Sequence, residues 1–236
     1  STALPMSLLD AEWLKGKKIL MLEPRRVAAK SIAHYLAHQL GEKVGQRVGY
    51  QIKNDRKITK DTVLEIVTEG ILTRRLQSDP EIADIGLVIF DEFHERSIHA
   101  DLSLLLSLEI QQTIREDLKL LVMSATIDTG QVAQYMGGAI IIECPGRAFP
   151  VSVDYTSTTK DPLLSQVVNA LRTALKDDKS GDTLVFLPGQ ADINRCLSTS
   201  KEIFGADADL IFLPLYGGLS LSQQEQALIP DPNGKR

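Results

Sequence analysis

Val88-Ile89-Phe90-Asp91-Glu92-Phe93-His94-Glu95-Arg96-Ser97 sets an apolar run directly against two adjacent carboxylates and a histidine. A buried strand that ends in Asp-Glu is suited to holding Mg²⁺ beside a water. On equal residue usage Asp-Glu-x-His arises by chance in roughly 3 of 100 chains of this length, so its surroundings decide its weight. A second apolar run, Leu118 to Val122, leads straight into Met123-Ser124-Ala125-Thr126. Two polar clusters at strand ends point to one nucleotide site at the carboxyl edge of a sheet.

Outward from this centre, strand and helix patterns alternate, which predicts a mainly parallel sheet covered on both faces. Lys18 to Leu22 is a short apolar run, and Pro24 opens a helical pattern through Val27, Ala28, Ile32, Leu36 and Leu40, stopped by Gly41. Val63 to Val67 alternates like a strand and feeds a short helix that closes before Asp79-Pro80. Leu87 to Phe90 is the central strand, Leu102 to Ile114 a helix and Leu118 to Val122 a further strand. Pro145-Gly146 marks a domain boundary. Beyond it we expect a strand at Val151 to Tyr155, a helix around Leu163 to Leu175, a strand at Thr183 to Leu187 and a helix from Ala191 toward Phe204.

With 236 residues, 43% of them hydrophobic, the chain suffices for one full domain and part of another. Cys144 and Cys196 form no C-x-x-C pair, so neither a disulfide framework nor a zinc site is indicated, and a reduced, cytoplasmic compartment is expected. No run approaches the roughly 20 apolar residues that span a bilayer, and the first residues do not read as a signal peptide. The net charge of −5 is unevenly spread: residues 1 to 75 hold 14 Lys+Arg against 8 Asp+Glu, whereas residues 76 to 236 hold 12 against 23. The basic excess of the first third, including Arg25, Arg26, Lys30, Arg47 and Arg74, suits a phosphate backbone, although charges of this kind also serve as solvated surface.

Asp91-Glu92-Phe93-His94 followed by Ser124-Ala125-Thr126 resembles motifs II and III of the DEAH-box helicases of superfamily 2, and the Phe with Glu95-Arg96-Ser97 is most similar to the bacterial HrpB-type branch. Pro24 to Ala29 and Val67 to Leu72 resemble that family's nucleic-acid-contacting motifs. Leu184 to Gly189 and Leu213 to Leu219 look like the opening of its second motor domain. The resemblance implies tandem RecA-like, doubly wound parallel-sheet domains, the first nearly complete over 1–146 and the second truncated over 147–236. It further implies ATP and Mg²⁺ as cofactors and nucleic acid, RNA in preference to DNA, as partner.

The same resemblance assigns roles. Asp91 holds the metal, Glu92 polarises the attacking water, and His94 joins them in the catalytic group. Ser124, Ala125 and Thr126 couple hydrolysis to strand movement. Pro24, Arg25, Arg26, Thr68, Glu69 and Gly70 grip a single strand through its backbone, without reading bases. Arg47 and Tyr50 are additional contact candidates, Tyr50 serving equally well as a core residue. No G-x-x-x-x-G-K occurs in the chain, yet Ser1-Thr2-Ala3-Leu4-Pro5 resembles the tail of such a phosphate loop. Ser1 and Thr2 are therefore nucleotide-binding candidates, Ser1 also a Mg²⁺ ligand. With neither the phosphate-gripping lysine nor the family's arginine finger in these residues, the segment alone is expected not to hydrolyse ATP.

Other classes fare less well. A zinc peptidase needs H-E-x-x-H, whose two imidazoles share a helix face, whereas His94 and His99 lie five residues and about 140° apart. His34 and His38 have i,i+4 spacing but lack a third ligand nearby. A non-catalytic binding module on a degenerate motor fold fits the absent phosphate loop but leaves Asp91, Glu92, His94 and Ser124 without a purpose. A translocase that does not separate strands would carry the same motifs.

Overall fold

The structure, a computed structural model, describes residues 2–14, 16–125, 129–144, 149–156, 160–177, 181–207 and 209–228. It comprises two compact units, Ser1–Pro145 and Gly146–Arg236.

The first unit is built on β1 (Lys18–Leu22), β2 (Val48–Ile52), β3 (Asp55–Lys57), β4 (Leu64–Val67), β5 (Ile85–Phe90) and β6 (Lys119–Val122). They form one sheet in the order β3-β2-β4-β1-β5-β6, parallel except for the β2–β3 hairpin. This is the α/β architecture that the alternating pattern implies. Every residue of β4 and β5 is buried, as befits parallel strands covered on both faces. Val63 to Val67 therefore alternates in sequence without one face meeting water. Its polar member, Glu65, is 1% exposed and is satisfied by Lys18 Nζ and Arg75 Nη1, each at 2.8 Å.

Helices α1 (Ala3–Ser7), α2 (Arg26–Gln39), α3 (Glu69–Ser78), α4 (Ile98–Thr113) and α5 (Thr129–Tyr135) complete the unit. Leu20, Leu22, Val88 and Phe90 join one core cluster with Leu72 of α3 and Leu104 of α4. Strand side chains alternate, so Ile19 and Met21, also fully buried, face the other way. Helix α2 packs on β2 and β4 through Ala29, Ala33, Leu36 and Ala37. Burying one such Leu contributes about 1.5–3 kcal/mol, and these layers hold the strand ends at fixed spacing.

Two differences from the sequence reading have clear causes. The hairpin β2–β3 is unanticipated because β3 is the polar, largely exposed Asp-Arg-Lys edge of the sheet. Its turn places Asn54 at φ 66°, a left-handed conformation Asn tolerates. Gly49 in β2 is required by closeness: a Cβ there would lie 2.3 Å from the carbonyl oxygen of Lys57. Helix α4 begins at Ile98 rather than Leu102, because Ser97 Oγ caps it by accepting from Ala100 N at 3.0 Å, although Ile98 itself is 83% exposed.

In the second unit α6 (Leu163–Asp177) packs on α7 (Gln190–Phe204), and α8 (Leu221–Gln226) follows. Val168, Leu171 and Cys196 are buried. The strands expected at Val151 to Tyr155 and Thr183 to Leu187 do not form among the described residues, where all six strands belong to the first unit. A strand exists through its ladder, and no backbone among the described residues pairs with these segments.

Candidate nucleotide site

Strands β1 and β5 are parallel neighbours with Leu22 opposite Phe90, so Glu23 and Asp91 emerge side by side at the carboxyl edge. Asp91 N donates to Leu22 O at 3.0 Å and Glu23 N to Val67 O at 2.9 Å. Asp91 is 4% exposed, and its Oδ1 accepts from Glu92 N at 2.9 Å. Glu23 is 2% exposed. Its carboxyl is raised to about 7, chiefly by burial, with the Arg25 N–H opposing and the neighbouring Asp91, Glu92 and Glu95 charges adding to the rise.

Glu92 stands at φ 50°, ψ 35°, the left-handed region, which costs a non-glycine residue about 1–2 kcal/mol. Surrounding bonds impose it: Phe93 N donates to Met123 O at 3.1 Å, Met123 N to Phe90 O at 2.8 Å and Glu95 N to Glu92 O at 2.9 Å. The ends of β5 and β6 are thereby stitched together. His94 bridges them, its Nε2 3.4 Å from Glu92 Oε2 and its Nδ1 accepting from Ala125 N at 3.4 Å. Ser124 Oγ is buried without a hydrogen-bond partner among the described residues.

The other sequence candidates fall around this centre. Pro24 is half-buried, and Arg25 and Arg26 are exposed at the start of α2. Arg25 Nε donates to both carboxylate oxygens of Glu95, at 3.0 and 3.3 Å. Thr68 is the N-cap residue of α3, Glu69 accepts from Ser97 Oγ at 2.6 Å, and a Cβ on Gly70 would meet nothing within 4 Å. Thr2 stands at the N-cap of α1 and makes no capping bond. Ser1 and Thr126 lie outside the described residues. Tyr50 is fully buried and donates to Asp55 Oδ2 at 2.7 Å, so it is a core residue and not a stacking platform. Arg47 pairs with Asp10. His34 and His38 are exposed, and no three His, Cys, Asp or Glu side chains cluster closely enough to hold a metal by themselves among the described residues.

Residues 2–135 match the family model described as DEAD/DEAH box helicase. The chain belongs to that family. Over its full length it is 44% identical to "ATP-dependent RNA helicase HrpB" of Escherichia coli, of which it covers 29%. It is 32% identical to "ATP-dependent RNA helicase HrpA" of Borreliella burgdorferi, covering 29% of it. It is also 33% identical to "Probable ATP-dependent RNA helicase DHX35 homolog" of Caenorhabditis elegans, covering 34%. The chain thus spans about a third or less of these relatives' lengths. Among solved structures, "Crystal structure of Escherichia coli DEAH/RHA helicase HrpB" aligns with all of this chain and 30% of its own at a TM-score of 0.87 and 44% identity. A second crystal structure, of the "DExH-box NTPase HrpB", gives a TM-score of 0.76.

In this DEAD/DEAH box helicase segment the sequence reading overlooked three residues. Glu23 is signalled only by the β1–β5 register, which a linear pattern does not contain. Glu95 and Ser97 carry a motif resemblance, but their partners Arg25 and Glu69 lie 70 and 28 residues away. The donor set fits Mg²⁺: hard carboxylate oxygens gather at one strand edge without a complete cage, and Mg²⁺ is commonly held by one or two carboxylates together with substrate phosphates.

Proposed function

We propose that the protein containing this segment hydrolyses Mg²⁺-bound ATP and couples the reaction to movement along, or unwinding of, nucleic acid in the cytoplasm, RNA in preference to DNA. Residues 1–146 then serve as the ATP-binding domain and 147–236 as part of the second motor domain. The names of the relatives support RNA as substrate. The observation that carries the reading is the continuous path from Asp91 through Glu92 and His94 to Ala125.

Asp91 would hold the metal together with Ser1, and Thr2 would serve the nucleotide. Bound Mg²⁺ supplies charge neutralisation at the β- and γ-phosphates. Glu92, set by its left-handed backbone, orients the attacking water and accepts its proton. His94 ties Glu92 to Ala125 just after β6, so a change at the reacting phosphate reaches the coupling residues Ser124, Ala125 and Thr126. Arg26, Arg25 with Pro24, and the start of α3 at Thr68-Glu69-Gly70 hold the nucleic-acid backbone. Without a Gly-x-x-x-x-Gly-Lys among residues 1–236, the segment by itself should not turn over ATP.

In the full-length protein, Glu92→Gln should lower ATP turnover by roughly 10²–10⁴-fold while leaving Mg-ATP affinity nearly unchanged, as expected for loss of a proton-accepting group. Normal turnover in that variant would remove Glu92 from the reaction. A wild-type protein that binds nucleic acid but turns over no ATP would instead establish a non-catalytic binding module.

A further inference from the structure

Two of the three residues after the acid box, Glu95 and Ser97, reach to distant parts of the chain in ways its chemistry does not require. The fork of Arg25 lies against Glu95, with Nε to both oxygens and Nη2 to Oε1 at 3.0 Å. Ser97 Oγ donates to Glu69 Oε1 at 2.6 Å while capping α4. Both stretches proposed to grip nucleic acid are therefore tied to the single segment Glu95-Arg96-Ser97. That segment is also strained, with Arg96 at φ 45°, and its Glu95 N is bonded to Glu92 O at 2.9 Å.

A carboxylate and a phosphodiester each present two anionic oxygens to a guanidinium fork, and a fork engaged with one cannot hold the other in the same way. The Arg25 side chain is 71% exposed and that of Glu95 33%, so the pair lies where a strand can reach it. We propose that Glu95 is a resident phosphate mimic: it holds Arg25 until nucleic acid displaces it, and its release is felt at Glu92 through the turn they share. Glu95 is thus a positioning residue that suppresses ATP turnover in the absence of a strand. The proposal rests on the reading of Arg25 as a backbone contact.

The pair is exposed, and pairs of this kind shift equilibria by roughly two- to fivefold. The test uses the full-length protein, a fluorescent oligouridine without nucleotide for affinity, and ATPase rates with and without that RNA. Glu95→Gln should bind oligouridine roughly two- to fivefold more tightly and hydrolyse ATP faster without RNA, so that stimulation by RNA shrinks by a similar factor. Glu95→Ala should shift both readouts in the same direction. On an Arg25→Ala background Glu95→Gln should change neither. Unaltered affinity and stimulation in Glu95→Gln, with a wild type that binds RNA, would overturn the proposal and leave the backbone-contact reading standing. An equal shift on the Arg25→Ala background would also overturn it, since the effect would not pass through Arg25. A wild type that fails to bind oligouridine would overturn the backbone-contact reading and this proposal with it.

Discussion

Phe90 and Phe186 sit in apolar runs of the same kind, Leu87 to Phe90 and Leu184 to Leu187, yet Phe90 is fully buried and Phe186 is 91% exposed. The first run lies between β1 and β6, with ladders on both sides and helices α3 and α4 beneath it. The second has no paired neighbour among the described residues. Apolar, β-branched composition makes a segment fit to be a strand. Backbone partners on its edges and a layer on its faces make it one. The functional residues of the first unit depend on this: Glu23, Asp91 and Ser124 converge only because β1, β5 and β6 lie side by side.

The largest contrast should come from truncating the two phenylalanines. Phe90→Ala removes a buried ring packed edge-on to Phe93 at 6.3 Å and should destabilise the first unit by about 3–5 kcal/mol in denaturant unfolding. Phe186→Ala should change stability by no more than about 0.5 kcal/mol. Equal losses would break the comparison, because Phe186 would then be as well packed as Phe90.

Charge pairs sharpen the same contrast. Glu65→Ala removes the buried carboxylate that Lys18 and Arg75 share, leaving them only the half-exposed Asp84 as partner, and the two charged hydrogen bonds lost should cost about 3 kcal/mol. Asp192→Ala in the second unit removes a pair whose arginine side chain is 71% exposed and should cost about 0.5 kcal/mol or less. A small loss at Glu65, measured by the same unfolding curves, would mean that water reaches the buried face of the sheet.

A smaller effect is expected at Glu23, through pH. Its carboxyl rises from 4.5 to about 7 on folding, so the folded state binds a proton that the unfolded state has released. Its contribution to stability is complete below the unfolded value of 4.5 and is lost as pH rises through about 7. Without nucleotide or Mg²⁺, Glu23→Gln should be more stable than wild type by about 2 kcal/mol at pH 8 and equal to it at pH 4. A difference independent of pH would show that Glu23 is hydrated in the folded protein.

Much of the first unit is legible in the chain itself. Lys18 to Leu22 and Leu118 to Val122 read as strands, and Pro24 to Gly41 as a helix, because apolar spacing is local and its period follows backbone geometry. Asp91, Glu92 and His94 are legible because a strand-end acid pair needs only four consecutive residues. The β3 edge is not legible, since a polar hairpin strand carries no apolar pattern. Tyr50 could serve as core or surface until a partner is known, and the hydroxyl of Tyr50 finds Asp55 inside the fold.

The sequence by itself determined an alternating α/β chain, the acid box at the end of a buried strand and the polar cluster after the next one, since each depends on neighbours within a few residues. Only the tertiary structure decided that Glu23 stands beside Asp91, that Glu92 takes a left-handed backbone, that Arg25 is held by Glu95 and Glu69 by Ser97, and which apolar runs become strands. Those outcomes depend on register and packing between residues far apart in the chain, and no local pattern encodes such distances.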